Sequence, residues 1–270
     1  MLQVSQLSYR YPGSVAKVLA GVDLTVKNGE IVALVGQNGS GKSTLGRLIA
    51  GLHELQSGSV TIDSTNYCQH KRGLRDDLSI VFQNPENQLL FNSYDEEIKF
   101  TLPELSPAEL ETRIQQSLAA VGMSRFRHCD LNELSPGQKQ RLVIAEALAR
   151  GAKHLILDEP TAMIDSEGKR EIATLVSRLR RSGYAILYLT NLTDEILLAD
   201  RTLILADGRI AAEIKRAELL SKAGLLTRYQ IELPVLLKLG LELQQQGLKL
   251  TPRQLTPQGI ARALKEQIHG

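Results

Sequence analysis

Apolar and polar residues alternate along two stretches near the start of the chain, Leu2–Tyr9 and Val18–Val26, and this pattern predicts half-buried antiparallel strands. A third stretch, Ile31–Val35, is apolar at every position, as expected for a central strand that is covered on both faces. Further strands are predicted at Ser59–Ile62 and Leu78–Phe82. The early part of the chain is therefore expected to contain strands of both kinds.

Helical periodicity replaces this pattern between about residues 95 and 150. One predicted helix begins with a capping box of Ser106 and Glu109, and a second begins in the same way at Ser135 and Gln138. In both helices a proline occupies the first helical position, where its missing N–H is tolerated. This segment is therefore predicted to be a helical subdomain.

Two more buried strands are predicted at His154–Asp158 and Tyr184–Thr190, with a helix at about Ser166–Ser182 between them. A hairpin is predicted at Thr202–Glu213, and short amphipathic helices follow from about residue 215. The leucine stripes of these last helices are expected to be packing surface. The pattern leaves open whether they pack on this chain or on a partner.

Composition and charge exclude several classes of protein. The 270-residue chain is 43% apolar, which supports a sizeable core, and its net charge of +2 argues against a surface that wraps nucleic acid. Cys68 and Cys129 form no CxxC pair, which favours a reducing compartment, and the histidines show no metal-ligand spacing. We expect neither a signal peptide nor a membrane span, since no apolar run approaches the ~18 residues that a span requires.

The segment GQNGSGKST (Gly36–Thr44) matches the phosphate-binding pattern G-x-x-x-x-G-K-[ST] and precedes a predicted helix at Leu45–Leu52. Its glycines allow consecutive backbone N–H groups to point at a phosphate, and the helix N-terminus adds a positive dipole. Lys42 is expected to bridge two phosphates and Ser43 to ligate Mg²⁺. The candidate nucleotide-binding residues of this loop are Gly36, Asn38, Gly39, Ser40, Gly41, Lys42, Ser43 and Thr44.

Two carboxylates, Asp158 and Glu159, end the predicted strand HLILD. Asp158 is suited to Mg²⁺ coordination, and Glu159 is suited to polarising an attacking water. Alone, the pair is a weak signal. Together with the phosphate-binding loop it predicts phosphoryl transfer, because that chemistry needs both a metal ligand and a group that positions water.

The segment LSPGQKQR places Ser135, Gly137 and Gln138 at a helix N-terminus. Locally this pattern is compatible with a well-capped helix and also with a second helix end that faces phosphate. The wider pattern decides between the two.

Taken in order, these motifs resemble those of the nucleotide-binding subunits of ABC transporters, and the resemblance covers nearly the whole chain. It implies an α/β fold with a P-loop (RecA-like) ABC ATPase core, an N-terminal antiparallel β subdomain, an inserted α-helical subdomain at about 95–150 and a helical C-terminal extension. It further implies a nucleotide-binding domain over 1–214, an extension over 215–270 that dimerises, and ATP and Mg²⁺ as cofactors.

The resemblance also implies roles within one subunit. Tyr11 is similar to the aromatic residue that stacks on adenine. The alternative interpretation is that Tyr11 lies at a strand end and packs in the core. Gln83 matches the glutamine that contacts Mg²⁺ and the attacking water. Asp158 is implied to be a metal ligand, together with Ser43, and Glu159 the catalytic base.

Other implied roles cross a dimer interface. Ser135, Gly137 and Gln138 fall on the signature motif, which contacts the γ-phosphate bound to the opposite subunit. Asp165 resembles the D-loop aspartate at that interface. Pro136 departs from the family pattern, which usually has glycine there. We interpret this as a mild change, because proline is well tolerated at the first helical position.

Two further segments are similar to ATPases of energy-coupling factor (ECF) transporters: VFQNPENQLLFNSYDEEIKF, and LPVLLKLGL with LTPQGIARAL. This implies an ATPase at the cytoplasmic face of the cell membrane, peripherally bound, that energises import of a vitamin or transition-metal ion. The implied partners are a second ATPase subunit, a transmembrane scaffold protein and a substrate-binding membrane protein, with no nucleic acid. Membrane helices are expected to dock near Gln83–Phe91, although Leu90 and Phe91 have a core reading as the alternative.

Asn191 stands where the family has a histidine that contacts the γ-phosphate and the catalytic glutamate. Asparagine can donate a hydrogen bond but cannot become cationic near neutral pH. A second interpretation is that Asn191 caps a helix that begins near Leu192. We expect Asn191 to be a weakened catalytic switch, and we hypothesise that the chain pairs with a non-identical, histidine-bearing ATPase.

Two other functions are compatible with parts of this pattern. One is a soluble, non-transport ABC ATPase that acts on ribosomes or DNA, which the single cassette and near-neutral charge disfavour. The other is a regulatory subunit that binds nucleotide with little turnover, which the retained Lys42, Gln83, Asp158 and Glu159 disfavour.

Overall fold

Two β-sheets organise the computed structural model, which describes residues 1–63, 65–66 and 77–269. Cys68 lies outside the described residues. The smaller sheet is antiparallel, with the strand order β2-β1-β4-β5. Its strands are β1 (Leu2–Tyr9), β2 (Leu19–Val26), β4 (Ser57–Ile62) and β5 (Thr65–Asn66).

The larger sheet has the order β10-β9-β3-β8-β7-β6, in which only β10 runs antiparallel to its neighbour. β3, which carries the fully apolar sequence, is buried at all five positions. The carboxyl ends of β3, β7 and β8 therefore meet at one edge of the sheet. The strands are β3 (Ile31–Val35), β6 (Leu78–Val81), β7 (His154–Asp158), β8 (Ala185–Leu189), β9 (Arg201–Ala206) and β10 (Arg209–Lys215).

The helices confirm most of the predicted pattern. Both predicted capping boxes are formed, at Ser106 with Glu109 and at Ser135 with Gln138. The predicted helix after Asn191 is instead a short 3-10 helix at Thr193–Leu198. The α-helices are α1 (Lys42–Ile49), α2 (Tyr94–Thr101), α3 (Pro107–Val121), α4 (Pro136–Ala149), α5 (Ser166–Arg181), α6 (Ala223–Arg228), α7 (Val235–Gln245) and α8 (Pro257–His269).

Apolar side chains form three buried clusters. On β3, Ile31 and Ala33 join the cluster that contains the helical subdomain and α5, whereas Val32 and Leu34 face the smaller sheet and α1. This alternation follows from the two-residue period of a strand. Among the described residues, no helix is both long and apolar enough to span a membrane.

The third cluster answers a question that the sequence left open. Leu226, Leu237 and Leu255 of the C-terminal extension are buried together with Val35 of β3 and Ile204 of β9. The inner leucines of the extension therefore pack on this same chain. Val35 immediately precedes the phosphate-binding loop, so the extension supports the base of that loop.

Candidate active site

The phosphate-binding loop lies between β3 and α1, and glycine is required at two of its positions. A Cβ atom on Gly36 would lie 2.3 Å from the backbone oxygen of Leu205, which no side chain can accommodate. Gly41 has a φ of +104° and leads directly into α1. The loop therefore presents a cradle of backbone N–H groups at a helix N-terminus, the arrangement that binds phosphate.

Lys42, the first residue of α1, points its side chain back across this loop. Its Nζ donates to the carbonyl oxygens of Gly36, at 2.8 Å, and Gln37, at 3.1 Å. Burial lowers the pKa of the Lys42 ammonium, and the carboxylates of Glu159 and Asp158 oppose that shift. The Oγ of Ser40 is buried with no hydrogen-bond partner among the described residues. A buried cation beside an unsatisfied hydroxyl fits a bound phosphate.

Ser43 and Asp158 lie together at the point where β7 faces α1. The Ser43 hydroxyl donates to Asp158 Oδ1 at 2.9 Å, and Asp158 is 6% exposed. Burial raises the pKa of the Asp158 carboxyl, although the hydrogen bond from Ser43 acts in the opposite direction. A hydroxyl and a carboxylate in contact are the oxygen donors that Mg²⁺ prefers, so this pair fits the predicted metal site.

Glu159 follows Asp158 and has an unusual backbone. Its φ of +50° is in the left-handed region, and its N–H donates to the carbonyl oxygen of Leu189 at 2.9 Å. The backbone therefore leaves the extended conformation of β7 at this residue. Burial and then the neighbouring Asp158 raise the pKa of the Glu159 carboxyl. A raised pKa makes this carboxylate a better proton acceptor, as a general base requires.

Asn191 lies at the end of β8 and contacts both sides of this site. Its Nδ2 donates to Glu159 Oε1 and, at 2.8 Å, to Asn38 Oδ1. The prediction that Asn191 caps a helix is wrong, because the 3-10 helix begins after Leu192 and the Asn191 amide is used by tertiary partners instead. The Leu192 N–H donates to the hydroxyl of Thr190, at 2.8 Å.

Tyr11 lies beside the loop, half-buried. Its hydroxyl is 3.0 Å from the hydroxyl of Thr44, and its ring meets Tyr9 edge to face at a centroid distance of 5.1 Å. Tyr11 thus flanks the phosphate-binding loop, and its role toward adenine stays a prediction.

Gln83 is exposed, in the loop between β6 and a 3-10 helix at Pro85–Asn87. Sequence reasoning missed the two glutamines that hold this loop. Gln88 accepts from the Phe82 N–H at 2.7 Å, and buried Gln140 donates to the Phe82 carbonyl at 2.9 Å. Both glutamines lie in segments that resemble family motifs, but the motifs do not show that the two side chains bind the backbone of Phe82.

The predicted signature residues and Asp165 are arranged around helix ends. Ser135 and Gln138 cap α4, and Asp165 caps α5 by accepting from the Gly168 N–H at 2.8 Å. Pro136 is the first residue of α4, as predicted. A Cβ on Gly137 would lie 3.2 Å from Ile164, so the start of α4 packs closely on the segment that leads into α5.

The structure therefore brings Asn38, Lys42, Ser43, Asp158, Glu159 and Asn191 into one site. It places Ser135, Gly137 and Gln138 at the start of α4, Asp165 at the start of α5, and Gln83 in the loop after β6. A phosphate-binding loop, a strand-end carboxylate pair and an inserted helical subdomain define a P-loop ATPase of the ABC class.

Comparison with known proteins agrees with this class. A family model described as "ABC transporter" matches residues 19–162. The energy-coupling factor transporter ATP-binding protein EcfA1 of Symbiobacterium thermophilum is 38% identical over 91% of this chain and 88% of that protein. EcfA1 of Oenococcus oeni is 36% identical over 93% of this chain and 92% of that protein.

Solved structures show the same likeness. CbiO1 from Clostridium perfringens, described as part of the ABC transporter complex CbiONQ, has a TM-score of 0.75 and 31% identity over 88% of this chain and 97% of that chain. A dimeric ATP-binding cassette bound to ADP and Pi has a TM-score of 0.69 and 28% identity over 80% of this chain and 98% of that chain. The chain belongs to the ABC transporter ATPases and, within them, to the energy-coupling factor ATP-binding proteins.

Proposed function

We propose that this chain hydrolyses ATP to energise an ECF-type importer for a vitamin or a transition-metal ion, at the cytoplasmic face of the cell membrane. The observation that carries the proposal is the joint placement of Lys42, the Ser43–Asp158 pair and Glu159 at one edge of the sheet. The names of the relatives, which are transporter ATP-binding proteins, supply the transport context.

The reaction is assigned to this chain's own residues. The loop N–H groups and the Lys42 ammonium bind the β- and γ-phosphates, and Tyr11 stacks on the adenine. Glu159 orients and deprotonates the attacking water, and Gln83 contacts that water. Ser43, Asp158 and Gln83 would hold Mg²⁺, which neutralises charge on the phosphate oxygens when bound. Pairing of two subunits over the site would exclude water, which strengthens each of these interactions.

Asn191 is assigned the switch role in a weakened form. Both of its N–H groups are already committed, one to Glu159 and one to Asn38. The remaining Oδ1 is only an acceptor and cannot bind a phosphate oxygen. Contact with a γ-phosphate therefore requires Asn191 to release one of its partners, and its neutral amide lacks the charge by which a cationic histidine would attract the phosphate.

The complete site is assigned to a dimer, in which Ser135, Gly137 and Gln138 of one subunit contact the γ-phosphate held by the other. Large apolar side chains are exposed on the elements that would face a second subunit. Met163 precedes α5 and is 56% exposed, and Val235 on α7 is 66% exposed. Pairing with a non-identical ATPase confines the weakened switch to one of the two sites.

The membrane partners are assigned to an apolar patch beside Gln83. Leu90, Phe91 and Phe100 are exposed, and the two phenylalanine rings lie 5.3 Å apart. The alternative prediction, that Leu90 and Phe91 are core residues, is therefore wrong. Buried Glu97 accepts from the N–H groups of Leu90 and Phe91, which holds the patch in place. An exposed apolar patch that is held in place indicates a binding surface for another protein, so it supports a chain that acts in a complex.

The experiment is affinity purification of the tagged chain from detergent-solubilised native membranes, with mass spectrometry of the proteins recovered. We expect a second ATPase and at least one polytopic membrane protein. The variant Leu90→Asp/Phe91→Asp should lose the membrane protein, whereas the matched control Val15→Asp, at a residue 95% exposed outside the patch, should retain it. Recovery of only ribosomal or DNA-associated proteins would show that the transport proposal is wrong.

A further inference from the structure

Glu195 receives hydrogen bonds from three buried hydroxyl groups. Tyr188 donates to its Oε1 at 2.7 Å, Thr161 donates to the same oxygen, and Thr190 donates to Oε2. All three donors are at most 2% exposed. A carboxylate that accepts from several buried donors is well stabilised, because hydrogen bonds to a charged acceptor are stronger than neutral ones.

The three donors lie on the two segments that carry the reacting side chains. Thr161 is two residues after Glu159, and Thr190 immediately precedes Asn191. Glu195 itself lies in the 3-10 helix that follows Asn191. One carboxylate therefore connects the segment after β7 with the end of β8, next to the hydrogen bond between Asn191 and Glu159.

Strand pairing joins β7 to β8 as far as Asp158 and Leu189, but beyond the strand ends one side of the cluster faces open space. A cavity of about 850 Å³ borders the cluster, and its lining includes Thr161, Tyr188, Thr190 and Glu195. Side chains beside a cavity have fewer contacts on that side, so packing restrains their segments less than in a filled core. The left-handed φ of Glu159 is strained and depends on surrounding interactions to persist.

We propose that Glu195 is a positioning residue for ATP hydrolysis, which fixes Glu159 and Asn191 relative to each other by holding Thr161, Tyr188 and Thr190; this inference rests on the roles proposed above for Glu159 and Asn191. Glu195 does not touch the reacting atoms in this assignment. Its effect is therefore on the rate of the chemical step, and the binding of ATP to the phosphate-binding loop is left intact.

The test compares Glu195→Ala with Glu195→Gln in the full-length chain, purified as the ATPase dimer that the affinity experiment recovers. ATP turnover, the dissociation constant for a fluorescent ATP analogue and the thermal unfolding midpoint are measured for each. We expect Glu195→Ala to reduce kcat by about tenfold or more, because small displacements of a catalytic group are costly, with nucleotide affinity unchanged within about threefold. Glu195→Gln retains an acceptor for Tyr188 and Thr161, so it should keep most of the wild-type kcat.

Glu232→Gln is the matched control. Glu232 lines the same cavity, but its side chain is 77% exposed and pairs with Lys238, so its loss should leave kcat unchanged. Thr161→Val and Thr190→Val each remove one hydrogen-bond donor to Glu195. Each should lower kcat, but by less than Glu195→Ala does. These two variants carry the test if Glu195→Ala does not fold.

A double-mutant cycle separates positioning from general stability. In the Glu195→Ala background, Thr161→Val should cause no additional loss of kcat, because the interaction is already absent. The proposal is overturned if Glu195→Ala and both threonine variants keep the wild-type kcat. It is also overturned if Glu195→Gln is as slow as Glu195→Ala, or if the whole loss lies in nucleotide affinity.

Discussion

Asn191 donates a hydrogen bond to the carboxylate of Glu159 and thereby connects the end of β8 to the turn after β7. The same amide group donates to Asn38 in the phosphate-binding loop, 2.8 Å away. Three segments that are far apart in sequence are thus joined by one neutral side chain. The contribution of these two hydrogen bonds to ATP turnover can be measured by substituting Asn191.

Replacing Asn191 by histidine should increase ATP turnover. A histidine can carry a positive charge and two ring N–H donors, and hydrogen bonds from charged groups are stronger. We expect kcat to rise by about fivefold, equivalent to about 1 kcal/mol of transition-state stabilisation. Steady-state ATPase assays of Asn191→His against wild type measure this. Equal turnover of the two proteins would remove the basis for calling Asn191 a weakened switch.

Replacing Glu159 by glutamine should stop hydrolysis while retaining ATP binding. Glutamine keeps the shape of the side chain but cannot accept a proton, so the loss should be about 100-fold or more. Glu167→Gln, at an exposed position in the first turn of α5, is the control. Turnover and nucleotide binding are measured on both variants. If turnover of Glu159→Gln matched wild type, the chain would be a nucleotide-binding regulatory subunit.

Replacing Gly36 by alanine should weaken ATP binding by about tenfold or more. The added Cβ would lie 2.3 Å from the Leu205 backbone oxygen, so the phosphate-binding loop or β9 must shift. Gly224→Ala is the matched control, since no atom lies within 4 Å of the added Cβ there and α6 should gain helix stability. Titration with a fluorescent ATP analogue reports the difference. Wild-type affinity in Gly36→Ala would mean that the loop is less constrained than the structure indicates.

The ion pairs of Arg127 should make the stability of the helical subdomain depend on pH. Arg127 contacts both Asp95 and Glu111, and the hydrogen bonds from Arg127 lower the pKa of Glu111 to about 2. Since that pKa is lower in the folded chain than in the unfolded chain, the stabilisation is complete above the ordinary value and is lost as pH falls toward 2.

Thermal unfolding of wild type and Arg127→Met across this pH range measures the effect. The difference between their midpoints should be largest near neutral pH and should shrink as Glu111 becomes protonated. Arg113→Met changes an exposed arginine on α3 whose interaction with Glu109 is the smallest of the causes that shift the pKa of that carboxyl, so its pH-dependent difference should be much smaller. A difference for Arg127→Met that did not change with pH would mean that Arg127 stabilises through packing and not through charge.

The extension should contribute to the stability of the whole chain through its inner face. Leu237 on α7 is fully buried, so Leu237→Ala should lower the free energy of unfolding by about 2–5 kcal/mol. Leu239 on the same helix is 39% exposed, and Leu239→Ala should cost less than about 1 kcal/mol. Chemical denaturation of both variants provides the comparison. Similar losses would indicate that α7 does not present distinct inner and outer faces.

Much of the fold follows from local pattern. The bounds of β1 and β3 coincide with the predicted segments, and both capping boxes form as expected. The interactions that form these strands and caps involve residues close together in the sequence, so they can be predicted from the local pattern. The phosphate-binding loop belongs to the same group, because its function depends on consecutive backbone N–H groups.

The parts that local pattern did not predict depend on tertiary contacts. The residue type and the predicted helix after it favour a cap at Asn191, yet the Asn191 amide donates to Glu159 and Asn38 instead. Glu195 carried no signal, since its three donors come from separate segments. The role of Glu195 becomes visible only in the folded structure, where the three segments lie together.

The inner and outer faces of α7 are expected to tolerate different substitutions. Its inner leucine, Leu237, shares a core with Val35 at the base of the phosphate-binding loop, whereas Val235 and Leu239 face outward. Inner positions are therefore expected to change together with residues of β3 and β9 in the same gene. Outer positions are expected to change instead with the surface of the polypeptide that covers them.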